Sequence, residues 1–272
     1  MSSRPVLLAT LDGYANEGGF DTPHGLATCY APAIGLGRLE SPGRANDLWG
    51  HYDIVPDLVH ACGLDGVRVV VEWARIEPRP GRVDSNAVAT YREALSLLRN
   101  EGLYLSVCLI DAVWPSWLGQ EAWLLPWAHE AFIAHAQRTS EAFGDLADSF
   151  VPFARPDLVE AGFQRGTIPP WRTRARADAA DATTQLAATT ARLNDLPGLR
   201  DKQKQWREIP AVVPDAAVTA LVGEISRFDE IHMRSLLPGY GPTAPASSLC
   251  AYEDSALIAR AVSTALAEAL GR

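Results

Sequence analysis

The sequence predicts an α/β fold in which strand–helix units repeat to make a TIM-barrel-like (β/α) barrel, one domain over residues 1–272. Three observations predict it. Residues 67–71 form a β-branched apolar run interrupted only by Arg68, long enough for a strand buried on both faces. Helical patterns precede it at 48–62 and follow it at 85–100, the order of a βα repeat. Glu72, Trp73 and Arg75 then gather just past the strand, where barrels of this kind keep their chemistry, and Pro78 forbids continuation.

The remaining elements follow in chain order. Residues 5–10 read as the first strand, and 12–19 as a polar, glycine-rich exit loop carrying Asp12, Tyr14, Asn16 and Glu17. A Gly- and Pro-rich loop holding His24 runs on to residue 46; loops of that length tend to be functional or disordered. A third strand covers 103–109 and continues to Asp111, an amphipathic helix covers 128–143, and a fourth strand covers 148–155. A helix follows at 175–193. Beyond Asn194 the pattern reads as a short strand at 209–213, a helix at 214–226 with proline in its first turn, a strand at 230–236 and a helix at 254–270. That makes five or six βα units, so the expected barrel is contracted or incomplete on its C-terminal side.

Composition narrows the function classes. Hydrophobic residues make up 47% and charged residues 21%, the balance of an ordinary globular protein. A formal charge of −9 speaks against a nonspecific phosphate-backbone binder, so no nucleic-acid partner is expected. No apolar run reaches membrane-spanning length, and residues 6–11 are too short an apolar core for a signal peptide. Cys29, Cys62, Cys108 and Cys250 lack C-x-x-C spacing and read as buried free thiols of a cytoplasmic protein. His24, His51 and His232 have no metal-ligand spacing, so neither a metal nor another cofactor is expected.

The stretch Arg68 to Pro78 resembles the R-F-S-I-x-W-S-R-I-x-P motif of family 1 glycoside hydrolases, the β-glucosidase family, with Arg68, Trp73, Arg75, Ile76 and Pro78 at the matching positions. Glu17-Gly18 is similar to part of a Q-x-E-G sugar-binding element, Trp123 to a G-G-W segment, and Gly144-Asp145 to F-G-D-R-V. Phe163, Gly166 and Pro169-Pro170 keep the register of Y-x-x-G-x-x-P-P-G. The resemblance covers roughly the first two-thirds of the chain and implies a barrel of the glycosidase type. The catalytic positions depart from it. Where the family has T-x-N-E-P, with glutamate as acid/base, this chain reads Phe153-Ala154-Arg155-Pro156, and no T-E-N-G nucleophile segment is present. Asp111 stands where a sugar-binding histidine is expected.

Retaining glycosidases need two carboxyls about 5–5.5 Å apart. An arginine, with a pKa above ~12, cannot deliver the proton. Glycosidase activity is therefore not expected. Asp111, Glu72 and Arg155 are the candidate catalytic residues, with either carboxylate as general base and the guanidinium gripping an anionic group. Glu17, Arg68, Trp114 and Arg234 are the candidate substrate contacts, while Trp73, Trp117 and Trp123 read as core. Two readings of Arg155 stay open: it binds an anion, or it neutralises Asp111 or another carboxylate where the sugar used to sit. The function classes follow suit. One is a cyclase- or lyase-type enzyme acting on a small anionic or amine-bearing metabolite, in specialised biosynthesis. The other is a non-catalytic pseudoenzyme, a metabolite-binding or scaffold subunit. Five or six units leave strand edges to cover, so a homo-oligomer or a complex with a second subunit is expected.

Overall fold

The computed structural model describes residues 5–166, 168–210 and 229–234. Six parallel strands form one sheet: β1 (Val6–Leu11), β2 (Gly66–Val70), β3 (Tyr104–Ile110), β4 (Ser149–Phe153), β5 (Trp206–Pro210) and β6 (Glu230–Arg234). Their order is β4-β3-β2-β1-β6-β5. The last described strand thus lies against the first, as it does in a barrel rather than an open doubly wound sheet. The helices are α1 (Gly13–Asn16), α2 (Ala31–Gly35), α3 (Val55–Ala61), α4 (Trp73–Ile76), α5 (Ser85–Asn100), α6 (Pro126–Phe143), α7 (Pro156–Arg165) and α8 (Arg176–Leu193).

Strand alternation separates two chemistries. Leu7, Ala9, Val67, Val69, Leu105, Val107, Ile231 and Met233 join the main apolar core with α5 and α6 residues such as Leu95 and Phe132. The opposite, concave face carries Arg68, Ser106, Ser149, Glu230 and His232, all buried, beside a small apolar cluster of Val70, Cys108 and Val151. A period of two places each set on its own face.

One device recurs at the N-terminal ends of the strands. Asp65, just before β2, donates its N–H to Leu7 O and accepts the Leu7 N–H on its carboxylate, both at 2.8 Å. Asp148, before β4, does the same with Leu105, at 2.8 and 2.9 Å. Asp229, before β6, does it with Gln205, at 2.7 and 3.0 Å. Each aspartate staples its strand to the preceding odd-numbered one. Among the described residues β4 and β5 are the sheet edges, and both contain proline, Pro152 and Pro210, where a missing ladder donor is tolerated.

Several expectations are corrected. The helix expected at 48–62 starts only at Val55, after a 3₁₀ turn at Tyr52–Ile54, because Pro56 is compatible only with a first helical turn. The segment 12–46 is neither featureless nor loose. Asp21 accepts from Thr28 N–H, Thr28 hydroxyl and Tyr14 hydroxyl (2.7, 2.6 and 3.0 Å), and α2 is formed within it. Helix α7 was not anticipated. It starts on Pro156 and ends at Gly166 in the left-handed region (φ 66°), while a Cβ on Gly162 would strike Pro169 O. The expected 209–213 strand lies at Trp206–Pro210, with 211–213 outside the described residues. Strand 230–236 is found as Glu230–Arg234, with 235–236 outside them too, as are the helices expected at 214–226 and 254–270.

Candidate active site at the strand exits

Four neighbouring strands end in polar residues on the same side of the sheet. Asp12 follows β1, Glu72 follows β2, Asp111 follows β3 and Arg155 follows β4. Asp12, Glu72 and Arg155 each occupy the N-cap position of the short or medium helix that leaves the strand.

Glu72 is buried, and its Oε1 accepts the Tyr14 N–H at 2.8 Å. The approach requires Gly13, since a Cβ there would fall on Glu72 Cγ. Burial, then the negative charges of Asp12 and Glu17 and, more weakly, Asp111, push the Glu72 carboxyl well above the usual range. Glu72 therefore leans towards the protonated acid rather than the free base that the sequence suggested. Asp111 is buried and accepts from Arg68 Nη2 at 3.3 Å. Arg68 is fully buried, and its Nη1 lies 3.4 Å from His232 Nδ1. His232 Nε2 is 2.7 Å from Glu230 Oε2, and Glu230 also accepts from Tyr104 hydroxyl (2.7 Å) and Ser106 hydroxyl (3.3 Å). Burial alone would raise the Glu230 pKa, but His232 first, and the Ser149 and Tyr104 hydroxyls after it, outweigh it and hold the carboxyl below its ordinary value.

Arg155 clasps Asp157 through Nε and Nη2 at 2.9 and 2.8 Å, and its N–H donates to Asp111 O at 3.2 Å. Tyr30, buried, sits within electrostatic reach of Asp12, Asp111 and Arg155; burial first, and nearby acidic groups second, push its phenol up. A cavity of about 10 Å³ lies between Tyr30, Trp114, Phe153, Arg155 and Pro169.

The structure thus brings Glu72, Asp111 and Arg68 together with Asp12 and Tyr30, and adds the Glu230–His232 pair behind them. Glu17 is not a mouth contact. Its carboxylate is taken up by Arg75 Nε (2.8 Å), Tyr52 hydroxyl (2.6 Å) and Tyr91 hydroxyl (2.8 Å), with the guanidinium held between Phe20 and Trp49. Trp114 is buried rather than an open platform, donating its indole N–H to Gly119 O and packing edge-on to Trp123. The side chain of Arg234, at the end of β6, lies outside the described residues. Trp73 and Trp123 are core, and Trp117 is partly buried against it. Sequence reasoning missed Tyr30, which a loop delivers from far along the chain, and Glu230. The i, i+2 pair Glu230 and His232 on one strand face was the available signal. Among the described residues no cluster of His, Cys, Asp or Glu could hold a metal ion, and no helix is long and apolar enough to cross a membrane.

A curled parallel sheet with a buried, charged mouth at its strand exits is the architecture of the glycosidase-type (β/α) barrel. Comparison with known proteins gives the relationship in particular. The chain is 29% identical over 135 residues to the "probable inactive beta-glucosidase 14" of Oryza sativa subsp. japonica, covering 47% of this chain and 26% of that one. It is 30% identical over 144 residues to beta-glucosidase 47 of Arabidopsis thaliana, covering 50% and 27%, and 26% identical over 175 residues to a beta-galactosidase of Sulfolobus acidocaldarius, covering 47% and 36%. In fold it matches the AHE enzyme from Alicyclobacillus herbarius (TM-score 0.65, 19% identity, 82% of this chain and 53% of that one). It also matches a beta-glycosidase from Pyrococcus horikoshii (TM-score 0.64, 20% identity, 80% and 51%). No family model matches the chain. In sequence and fold the chain is like the β-glucosidases of glycoside hydrolase family 1, and it spans about half the length of these structures and less of the curated relatives.

Proposed function

We propose that this is a glycosidase-like protein that does not hydrolyse glycosides, and that its mouth binds a small anionic or amine-bearing metabolite. The observation that carries the first half is the exit of β4. Ala154-Arg155 stand where the resembled family keeps Asn-Glu, and the guanidinium is clasped to Asp157. No proton donor is available from that position near neutral pH. For the second half, Asp111 serves as the general base, and Glu72, protonated by its crowded surroundings, as a hydrogen-bond or proton donor. Arg68 and Arg155 supply the charge that would hold an anionic leaving group. Cyclisation, elimination or displacement of such a group, in a biosynthetic setting, fits that inventory.

A non-catalytic reading is favoured by one observation: among the described residues the cavity between Tyr30, Trp114 and Arg155 is about 10 Å³, and Arg155 and Arg68 are already matched by carboxylates. A scaffold subunit would need no more room, since a space of that size holds about one water. Either way we propose association with a second copy or another subunit. Pro152 and Pro210 in the two edge strands disfavour strand addition, so the contact should use helices or loops. Light scattering of the purified protein is expected to give a mass above that of one chain.

Purified protein assayed with chromogenic β-glucosides, β-galactosides and phosphoglycosides is expected to show no turnover. Turnover lost on changing a single carboxylate would overturn the proposal. Thermal-shift screening with small amines, phosphates and carboxylates tests the mouth. A stabilising compound whose effect disappears in Asp111→Asn supports binding there, and no response from any class leaves the scaffold reading.

A further inference from the structure

The polar row on the concave face extends well behind the mouth. Glu230, on β6, gathers His232 Nε2, Tyr104 hydroxyl and Ser106 hydroxyl around its carboxylate. Ser149 hydroxyl donates in turn to Ser106 at 2.8 Å. Glu230 Oε2, a carboxylate oxygen 2.7 Å from Nε2, makes Nε2 the nitrogen of His232 that carries the proton. The other nitrogen, Nδ1, lies 3.4 Å from Arg68 Nη1. A guanidinium offers only donors, so Nδ1 must present its lone pair. The two contacts together select one tautomer, the neutral Nε2–H imidazole. Trp206 stacks on that ring, with centroids 5.1 Å apart and planes 7° from parallel, and fixes its orientation. The same guanidinium that faces Nδ1 donates through Nη2 to Asp111.

We propose that His232 and Glu230 are positioning residues for the mouth: neutral His232 holds Arg68 against Asp111, and a second proton on His232 releases that hold. The inference rests on the reading of Asp111 as a mouth group given above. The geometry makes the switch two-valued, because protonated Nδ1–H would point a donor at a donor and set a cation against a cation. Among the described contacts, His232 faces Arg68 from β2, with Asp111 behind it, and Glu230 on its own strand, backed by Tyr104 of β3. From β5 Trp206 stacks on the ring; the backbone register partners of His232 are Glu208 on β5 and Leu8 on β1. The arrangement buries a base between an anion and a cation, a wire from the base of the sheet to its mouth.

Long-range ¹⁵N-edited spectra of the full chain test this without any ligand, since each of the six histidines gives its own ring resonances and His232→Gln assigns those of His232. The expected wild-type result is an Nε2-protonated, Nδ1-bare ring for His232 at neutral pH. Asp111→Asn removes the anion beyond Arg68 and is expected to lower the His232 midpoint by about one pH unit. Arg68→Met removes the facing cation and is expected to raise it. An Nδ1–H tautomer of His232 in the wild type overturns the proposal. So does a His232 midpoint unmoved in a folded Asp111→Asn protein. Because the readout is a proton on His232, a failed ligand search overturns the mouth reading alone, and an unmoved His232 overturns the coupling alone.

Discussion

At the scale of single residues, the two mouth arginines do different jobs although the sequence presents them alike. Arg68 is fully buried and its partner Asp111 nearly so, whereas Arg155 leans on Asp157, whose side chain is 62% exposed. Breaking a buried pair by removing one member strands the other charge and costs about 3–5 kcal/mol, while solvent-facing pairs are worth about 0–1 kcal/mol. Arg68→Met is therefore expected to lower the melting temperature severely, and Arg155→Ala by only a few degrees. Denaturant melts of both variants check the ranking. Equal losses would mean that Arg155 also holds the mouth together. This contrast was illegible in the sequence, because it depends on which side chains close over each guanidinium. Arg68 sits mid-strand on the concave face and meets His232, 164 residues away, whereas Arg155 lies beyond the strand at the start of α7.

At the scale of elements, the aspartate staples are what distinguish these strands from generic apolar runs. Asp65 and Asp148 each satisfy a backbone N–H of a buried residue, Leu7 and Leu105, second in a neighbouring strand. Leaving such a donor unpaired costs about 1–3 kcal/mol. Asp65→Ala and Asp148→Ala are each expected to lose that much stability, Asp229→Ala less because Gln205 is exposed, and the asparagine variants to recover most of it through the retained carbonyl. Asparagine failing as badly as alanine would show that charge, not the hydrogen bond, is what matters. What could be read locally was read well. The helix at 85–100 is found as Ser85–Asn100, because Asp84 accepts the N–H groups of Asn86 and Ala87 and the apolar spacing is regular. Where reading failed, the deciding signal was present but small, such as Pro56 inside the expected 48–62 helix, or the Pro156 start and Gly166 stop of α7. The pairing of β6 with β1 carried no local signal at all, since their hydrogen bonds join residues more than 200 positions apart.

At the scale of the whole molecule, buried titratable groups of opposite sign shape the dependence of stability on pH. Glu72 is raised by burial and by Asp12 and Glu17, so the unfolded chain gives up its proton first. Its contribution is complete below the unfolded value of about 4.3 and is lost as pH rises towards the folded one. His135 is the reverse. Packed parallel on Trp73 with ring centroids 4.6 Å apart and pushed down to about 3 by burial, it contributes fully above about 6.5 and loses that contribution as pH falls towards 3. Between about pH 4.3 and 6.5 the two slopes oppose each other, each at most ~1.4 kcal/mol per pH unit. Glu72 and His135 thus pull the pH dependence of stability in opposite directions across that window. Glu72→Gln keeps an acceptor for the Tyr14 N–H and removes the charge. Its advantage over wild type is expected to grow as pH rises from about 4.3 and to level off once the folded carboxyl has ionised. His135→Phe keeps the stacked ring and removes the base, and its advantage is expected to grow as pH falls below 6.5. Melting temperatures of the three proteins from pH 4 to 9 make the comparison. A Glu72→Gln difference that stays constant with pH would show that Glu72 is ionised in the folded protein, and the donor role assigned to it at the mouth would go with it.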